Sequence, residues 1–287
     1  MVFAPNRIEE VSLVRALNLA GMAVIWMAAS GFSWVFSGPE AELDPFWNQV
    51  DSSSDLQVDH ALWQSVLDDY LVQDESGINL FDYEGVKGDD DLRIDHYIES
   101  LELIDPRNLN RSEQMSYWIN FYNALTVQLV VRNYPVGSIT ELGEGLLDNG
   151  PWDDEVAEVA GRTVTLNDIE HRILRPIYQD HRIHFALNCA SIGCPNLNNQ
   201  AYSADNLDQL LSQAAKKFLD HPRGLKFQND GLRLSKIFQW FQADFGGDEG
   251  RMLHTLTLYV NPDVAVRLRQ FNGELEYSYD WALNDLQ

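Results

Sequence analysis

Residues 111–133 read RSEQMSYWINFYNALTVQLVVRN, and their apolar spacing decides the fold. Met115, Trp118, Ile119, Phe121, Tyr122, Leu125, Leu129 and Val130 occupy most of a helical circumference, the pattern of a helix buried on nearly every side. Asn110-x-x-Glu113 resembles a capping box at its start and Pro135 marks its stop. The polar exceptions Glu113, Ser116, Asn120 and Asn123 fall at i, i+3, i+7 and i+10 and form one stripe. One reading is a solvent face. The other follows from Val127, which continues the stripe with an apolar residue: the C-terminal half then faces protein, and a buried Asn must hold a neighbouring loop or line a cavity.

Outward from this helix, apolar spacing predicts helices at 61–71, 93–103, 166–174, 206–219, 236–245 and 251–260. Strands are fewer. Val156 to Val164 reads as a hairpin turning at Ala160-Gly161, Ile183 to Leu187 as a buried strand, and Leu225 to Leu234 as a hairpin around Asn229-Asp230-Gly231. The end, Leu275-x-Tyr277-x-Tyr279-x-Trp281, alternates with period two. Helices and antiparallel strands in mixed order predict an α+β single domain, residues 55–287, with a long buried central helix and a small, mostly antiparallel sheet. Residues 38–54, rich in Pro, Ser and acidic side chains, read as a polar linker.

The chain of 287 residues is 45% hydrophobic and 11% aromatic, which excludes a disordered or collagen-like protein. Its 20 Lys+Arg against 44 Asp+Glu give a net charge of −24, which argues against nucleic acid as a partner. Leu19 to Phe36 carries no formal charge, follows Arg7 and Arg15, and precedes Glu40, Glu42 and Asp44. That arrangement predicts a signal peptide or a membrane anchor within residues 1–37, with the domain exported: periplasmic, extracellular, or tethered outside the membrane. A lipoprotein is excluded, because the only cysteines are Cys189 and Cys194.

His171, His181, His184, Cys189 and Cys194 fall within one short stretch. Placed on a strand, His184, Ala186 and Asn188 would share a face, and the chain would then enter the small-residue run NCASIGCP at 188–195. Three chemistries compete for these residues. A thiolate activated by an imidazole could act as a nucleophile while backbone N–H groups receive an oxyanion. Cys189 and Cys194 could form a disulfide outside the cytoplasm. Zinc is the third, with C-x4-C departing from the usual C-x2-C spacing.

At these residues the sequence resembles the domain of unknown function 547 family. The similarity is carried by YWINFYNAL at 117–125, by Ile169-Glu170-His171-x-x-Leu174-Arg175-Pro176, and by HFALNC at 184–189 with Cys194-Pro195. It continues through Leu234-Ser235-x-Ile237-Phe238-x-Trp240-Phe241-x-x-Asp244-Phe245 and the closing Tyr279-Asp280-Trp281-x-Leu283-Asn284. The resemblance implies an exported protein with a fold likened to papain-like or transglutaminase-like cysteine enzymes. Papain-like enzymes place the Cys at the start of their central helix, whereas the long helix here carries Asn120 and Asn123 and no Cys: either the catalytic thiol has moved to the loop after residue 188, or the scaffold has a noncatalytic role. Plant members of the family can have Ser at the position of Cys194, which favours Cys189.

The expected site therefore has Cys189 as nucleophile, His171 as general base and Glu170 or Asn123 as its orienting partner. Asn120, Asn123, His184, Asn188 and Cys194 line it, with His184 as the reserve base. No metal and no cofactor are expected. The substrate is an amide or peptide-like bond in an unidentified peptide or protein, and the alternative is a nonenzymatic extracytoplasmic module that binds a peptide or protein.

Overall fold

The computed structural model describes residues 38–89, 91–143, 150–228 and 231–286. The apolar leader segment Leu19 to Phe36 and the turn residues Asn229 and Asp230 lie outside them. Besides short 3-10 turns, the elements in chain order are α1 (Ala61–Tyr70), β1 (Leu71–Gln73), β2 (Asn79–Phe81), α2 (Tyr83–Asp89), α3 (Asp91–Glu102), α4 (Arg111–Asn133), β3 (Ala157–Val159) and β4 (Arg162–Val164). A π-helical segment Asp168–Leu174 then runs into α5 (Arg175–Tyr178), followed by a 3-10 turn His181–Phe185 and α6 (Leu207–Asp220). The remainder is β5 (Leu225–Phe227), β6 (Gly231–Ser235), α7 (Ile237–Trp240), α8 (Glu249–Leu256), α9 (Pro262–Arg269) and β7 (Glu274–Ser278).

The long helix α4 has the predicted bounds because both ends are set locally. Asn110 accepts from the Glu113 N–H at 3.1 Å, and Tyr134, held extended before Pro135, ends the helix. Only half of the capping box forms. The Glu113 carboxylate accepts instead from the N–H groups of Val58 (2.6 Å) and Ala204 (3.3 Å). Helix α4 packs against α2, α3 and the π-helical segment, and its buried residues run along both the apolar faces and the polar stripe.

The fold is α+β, as expected, with the strands in three small sheets rather than one. β1 pairs with β2 and β3 with β4, both antiparallel, while β6 lies between antiparallel β5 and parallel β7. The hairpin at 156–164 forms with Ala160 at φ +50° and Gly161 at φ +74° in its turn, the left-handed geometry such tight turns require.

The strand predicted at Ile183 to Leu187 is not one. Asp180 caps a 3-10 turn there by accepting from the Arg182 N–H at 2.9 Å, and among the described residues no strand pairs with it. The short apolar run fits either conformation by periodicity alone. The helix predicted at 236–245 stops at Trp240, because the chain turns through Phe241–Gly247, with Gly246 and Gly247 at positive φ. That turn carries Asp244 to Arg175.

Two apolar clusters form the interior. One surrounds α4 and includes Ile183, Ala186 and Leu187; the other gathers Phe185 with Phe218, Phe238, Phe245 and Met252. Residues 183–187 thus belong to both clusters, which fixes the segment that feeds the cysteine loop.

Residues 38–54, expected as a linker, are fastened to the domain. Gly38 N–H donates to Trp240 O, Glu42 N–H to His171 O and Asp44 N–H to Arg172 O. Trp47 is buried against Trp118. Among the described residues, no helix is long and apolar enough to cross a membrane.

Candidate functional site

The polar stripe of α4 is buried, and its amides do the work of strand partners. Asn123 donates from Nδ2 to Ala186 O (3.0 Å) and accepts from the Asn188 N–H (2.8 Å). Those are the two backbone groups an adjacent strand would have paired, so a side chain replaces the missing strand. Asn120 treats Tyr202 the same way, donating to its carbonyl (2.7 Å) and accepting from its N–H (3.0 Å). Both are at most 1% exposed. Asn123 therefore positions the entrance to the cysteine loop, while Asn120 holds residue 202.

The loop is shaped by its own polar side chains. Asn188 is buried, accepts from the Ala190 N–H (2.9 Å) and donates to Pro195 O (2.9 Å). The first bond closes a turn over Ala190, which sits at φ +53°, a conformation disfavoured for a residue with a Cβ. On the other side, Ile192 N–H donates to Ala282 O and Gly193 N–H to Asp280 O, both at 2.8 Å. A Cβ on Gly193 would stand 2.7–2.8 Å from the Asp280 backbone, so only glycine permits this approach. The docking brings Tyr279 onto the loop.

Cys189 is partly buried and Cys194 is buried, and both are free thiols. Their sulfurs are 3.0 Å apart. Cys189 Sγ also lies 2.9 Å from Tyr279 Oη and 3.5 Å from Ser191 Oγ, and those two hydroxyls are 2.8 Å apart. In the neutral pair Cys189 donates to Cys194 Sγ, and Cys194 donates to Leu187 O at 3.5 Å. When Cys189 ionises, the Cys194 S–H turns to it. That hydrogen bond is the main reason the Cys189 pKa lies below its ordinary value; burial opposes it, and Tyr279 and Ser191 assist. Burial pushes the Cys194 thiol well up, with the neighbouring Cys189 sulfur adding to it. Cys194 is thus a partner of Cys189 and more than packing beside Pro195.

The histidines belong to a different arrangement. His184 is buried, stacked on Phe241 with ring centroids 4.0 Å apart. Its Nε2 lies 2.7 Å from Asp244 Oδ2, and its Nδ1 is 3.4 Å from Glu170 Oε1, an ion-pair separation without hydrogen-bond geometry. Burial alone would lower its pKa, but the hydrogen bond to Asp244 and the nearby Glu170 carboxylate raise it. Arg175 reaches Asp244 through Nε (2.6 Å) and Nη2 (3.2 Å), Pro39 O through Nη1 (2.5 Å), and His171 Nδ1 at 3.2 Å. Burial lowers the His171 pKa, Glu170 pulls it up, and Arg175 adds to the lowering. Burial would raise Glu170, but His171, His184 and Arg175 hold it below the usual carboxylate range. Asp244 is likewise held low, its burial outweighed by His184 and Arg175.

The structure therefore joins Glu170, His171 and His184 to one another and Asn123, Asn188 and Cys194 to Cys189. It does not join the two groups by hydrogen bonds: the partners of Cys189 Sγ are Cys194, Ser191 and Tyr279, and neither His171 nor His184 is among them. Tyr122 neighbours both groups: its hydroxyl lies 3.5 Å from Glu170 Oε2, and Glu170, Cys189 and Cys194 add to the rise that burial gives its pKa. Among the described residues, no three His, Cys, Asp or Glu side chains are grouped to hold a metal ion.

Ser191, Tyr279, Asp244 and Tyr122 were not assigned roles from sequence. Tyr279 and Asp244 do fall in the stretches that carry the family resemblance, but 90 residues separate Tyr279 from Cys189. Nothing short of the fold brings them together.

Residues 106–219 match the family model described as a protein of unknown function, DUF547, a match that supports the resemblance to that family over this stretch. The match contains α4, the π-helical segment and the cysteine loop. Asp244 and Tyr279 lie beyond it. No curated protein and no solved structure matches the chain.

Proposed function

We propose that this protein is exported and uses Cys189 as the nucleophile of a hydrolase or acyltransferase acting on an amide or peptide-like bond. The observation that carries this reading is the convergence on the sulfur of partly buried Cys189 of three groups able to donate to its thiolate: Cys194 Sγ at 3.0 Å, Tyr279 Oη at 2.9 Å and Ser191 Oγ at 3.5 Å. Hydrogen bonds to the charged form favour it, so the thiolate is supported without an imidazole. The Cys189 N–H is directed to Cys194 Sγ and the Ala190 N–H to Asn188. The Tyr279 and Ser191 hydroxyls then take the oxyanion role that backbone N–H groups fill elsewhere. Burial and the nearby cysteines keep Tyr279 protonated, so it remains a donor at neutral pH.

In this scheme the Cys189 thiolate bonds to the carbonyl carbon while the hydroxyl pair donates hydrogen bonds, the C–N bond breaks as the departing amine takes a proton from water, and the resulting hydroxide or an acceptor amine then attacks the thioester and releases Cys189 as a thiolate. Glu170, His171 and His184 hold the neighbouring wall in place. An apolar surface for the substrate lies beside Tyr279, where Trp240 and Trp281 stand with ring centroids 4.9 and 4.6 Å from its ring and Trp152 packs on Trp281. The same aromatic group favours a second reading, a module that binds a peptide or protein without turnover.

The test is alkylation of the full chain by iodoacetamide across pH, together with mass-spectrometric trapping of an acyl-enzyme from an activated ester. Rapid labelling at neutral pH and an acyl adduct, both lost in Cys189→Ser, are expected. Labelling without any adduct would favour the binding module; a thiol that reacts no faster than a free cysteine would remove the enzyme reading. A reporter fused after Ser54 tests export and should be active only outside the cytoplasm.

A further inference from the structure

The two sulfurs differ in access while facing each other. Cys189 is partly exposed; Cys194 is 3% exposed, beneath it. Closing their 3.0 Å separation to a covalent bond requires an approach of about 1 Å, within reach of side-chain rotation. The backbone around them is held by contacts that involve neither sulfur: Asn123 on Ala186 and Asn188, Asn188 on Pro195, and the Asp280 carbonyl on Gly193. An accessible thiol that attacks and a shielded thiol that waits are the two parts thiol–disulfide exchange requires.

We propose that Cys189 and Cys194 form a redox pair that exchanges with a disulfide-bearing molecule, Cys189 attacking and Cys194 resolving. In the first step the Cys189 thiolate bonds to one sulfur of the incoming disulfide. That S–S bond breaks, and the other sulfur leaves as a thiolate and takes a proton from water. In the second step Cys194 gives up its proton to solvent and attacks Cys189 Sγ. The Cys189–Cys194 bond forms as the second sulfur of the partner departs. Two protein thiols are oxidised, one disulfide is reduced to two thiols, and no other reactant is needed.

The surroundings of Cys194 fit this order. Burial is the main cause of its raised pKa and the Cys189 sulfur adds to it, while the Cys189 N–H, 3.1 Å from Cys194 Sγ, opposes the rise. Capping Cys189 in a mixed disulfide removes the contribution of the Cys189 charge and leaves the N–H donor in place, so ionisation of the resolving thiol is easier after attack than before it.

This activity goes beyond acyl transfer and is read independently of it. The full chain is equilibrated with glutathione and oxidised glutathione in varied ratio, quenched with acid, alkylated, and weighed intact. Both thiols should disappear together in one two-electron transition without a retained glutathione. Cys194→Ser or Cys194→Ala should instead stop at one glutathione on Cys189, and Cys189→Ser should take none. Urea unfolding of each variant confirms the fold, and the unmodified chain decides the question by itself. A wild-type chain that accumulates the Cys189 adduct with Cys194 still free, or that stays reduced in excess oxidised glutathione, overturns the proposal. Rapid alkylation of Cys189 in that same chain would leave the nucleophile reading standing alone.

Discussion

Two polar regions lie near Tyr122, and they solve burial differently. In the ionic group Asp244 is paired with both Arg175 and His184, and Glu170 lies against His184. Two carboxylates face the Arg175 guanidinium and the His184 imidazole, whose pKa they raise, while burial lowers that of His171 beside them. At the cysteine loop the groups are thiols and hydroxyls, none formally charged until Cys189 ionises. A buried charge is tolerated when it is fully paired, and full pairing leaves little to offer a substrate. The proposed chemistry is therefore placed where neutral groups converge on the Cys189 sulfur, with the histidines and carboxylates in a neighbouring ionic group.

The largest effect that would break this contrast is expected in the ionic group. Asp244→Ala leaves the buried Arg175 guanidinium and the His184 imidazole without their shared partner, which should cost about 3–5 kcal/mol, measured by urea unfolding. A loss below about 1 kcal/mol, the range of an exposed ion pair, would show the group to be surface-like rather than an interior tie.

Asn123→Ala comes next. It leaves Ala186 O and the Asn188 N–H without a partner and should cost about 1–3 kcal/mol. Because these groups lead into the loop, Cys189 alkylation should also change. Unchanged labelling in a destabilised protein would separate the helix anchor from the sulfur site.

Cys194→Ala should act on reactivity while leaving the ionic group untouched. It removes the leading cause of the lowered Cys189 pKa, so the alkylation profile should move to higher pH and labelling at neutral pH should slow several-fold. Cys194→Ser, which retains a donor, should shift it less. If His171→Ala moves the profile more than Cys194→Ala, the imidazole acts on the thiol after all and the contrast fails.

The smallest effect is in the pH dependence of stability. The His184 pKa is raised on folding, so its contribution is full below the unfolded value of about 6.5 and is lost as pH rises through the folded value. His60 behaves oppositely: burial pushes it down to about 4, so its contribution is full above about 6.5 and lost as pH falls toward 4. Urea midpoints from pH 5 to 9 should show His184→Gln removing part of the loss on the alkaline side, while the acid-side loss remains. A midpoint profile identical to wild type on the alkaline side would mean that His184 does not stay charged.

The sequence by itself determined the elements whose causes are local. Helix α4 could be bounded to the residue because its cap, its all-round apolar pattern and Pro135 lie within or beside it. The hairpin at Ala160-Gly161 was legible for the same reason. Burial of Asn120 and Asn123 was foreshadowed by Val127 in their stripe, and Asn188 and the two cysteines were visible as a small-residue run. Only the tertiary structure decided which groups touch the thiol. Tyr279 reaches Cys189 because Gly193 lets the C-terminal segment pair with the loop, and Asp244 reaches His184 because Gly246 and Gly247 help turn a helix that periodicity would have continued. Residues 183–187 curl where a strand was expected, since an Asn side chain rather than a neighbouring strand takes up their polar groups. Periodicity records which face is apolar; it carries no information on the distant partner that satisfies a backbone group or an ionising side chain, and that partner assigns a cysteine or a histidine its role.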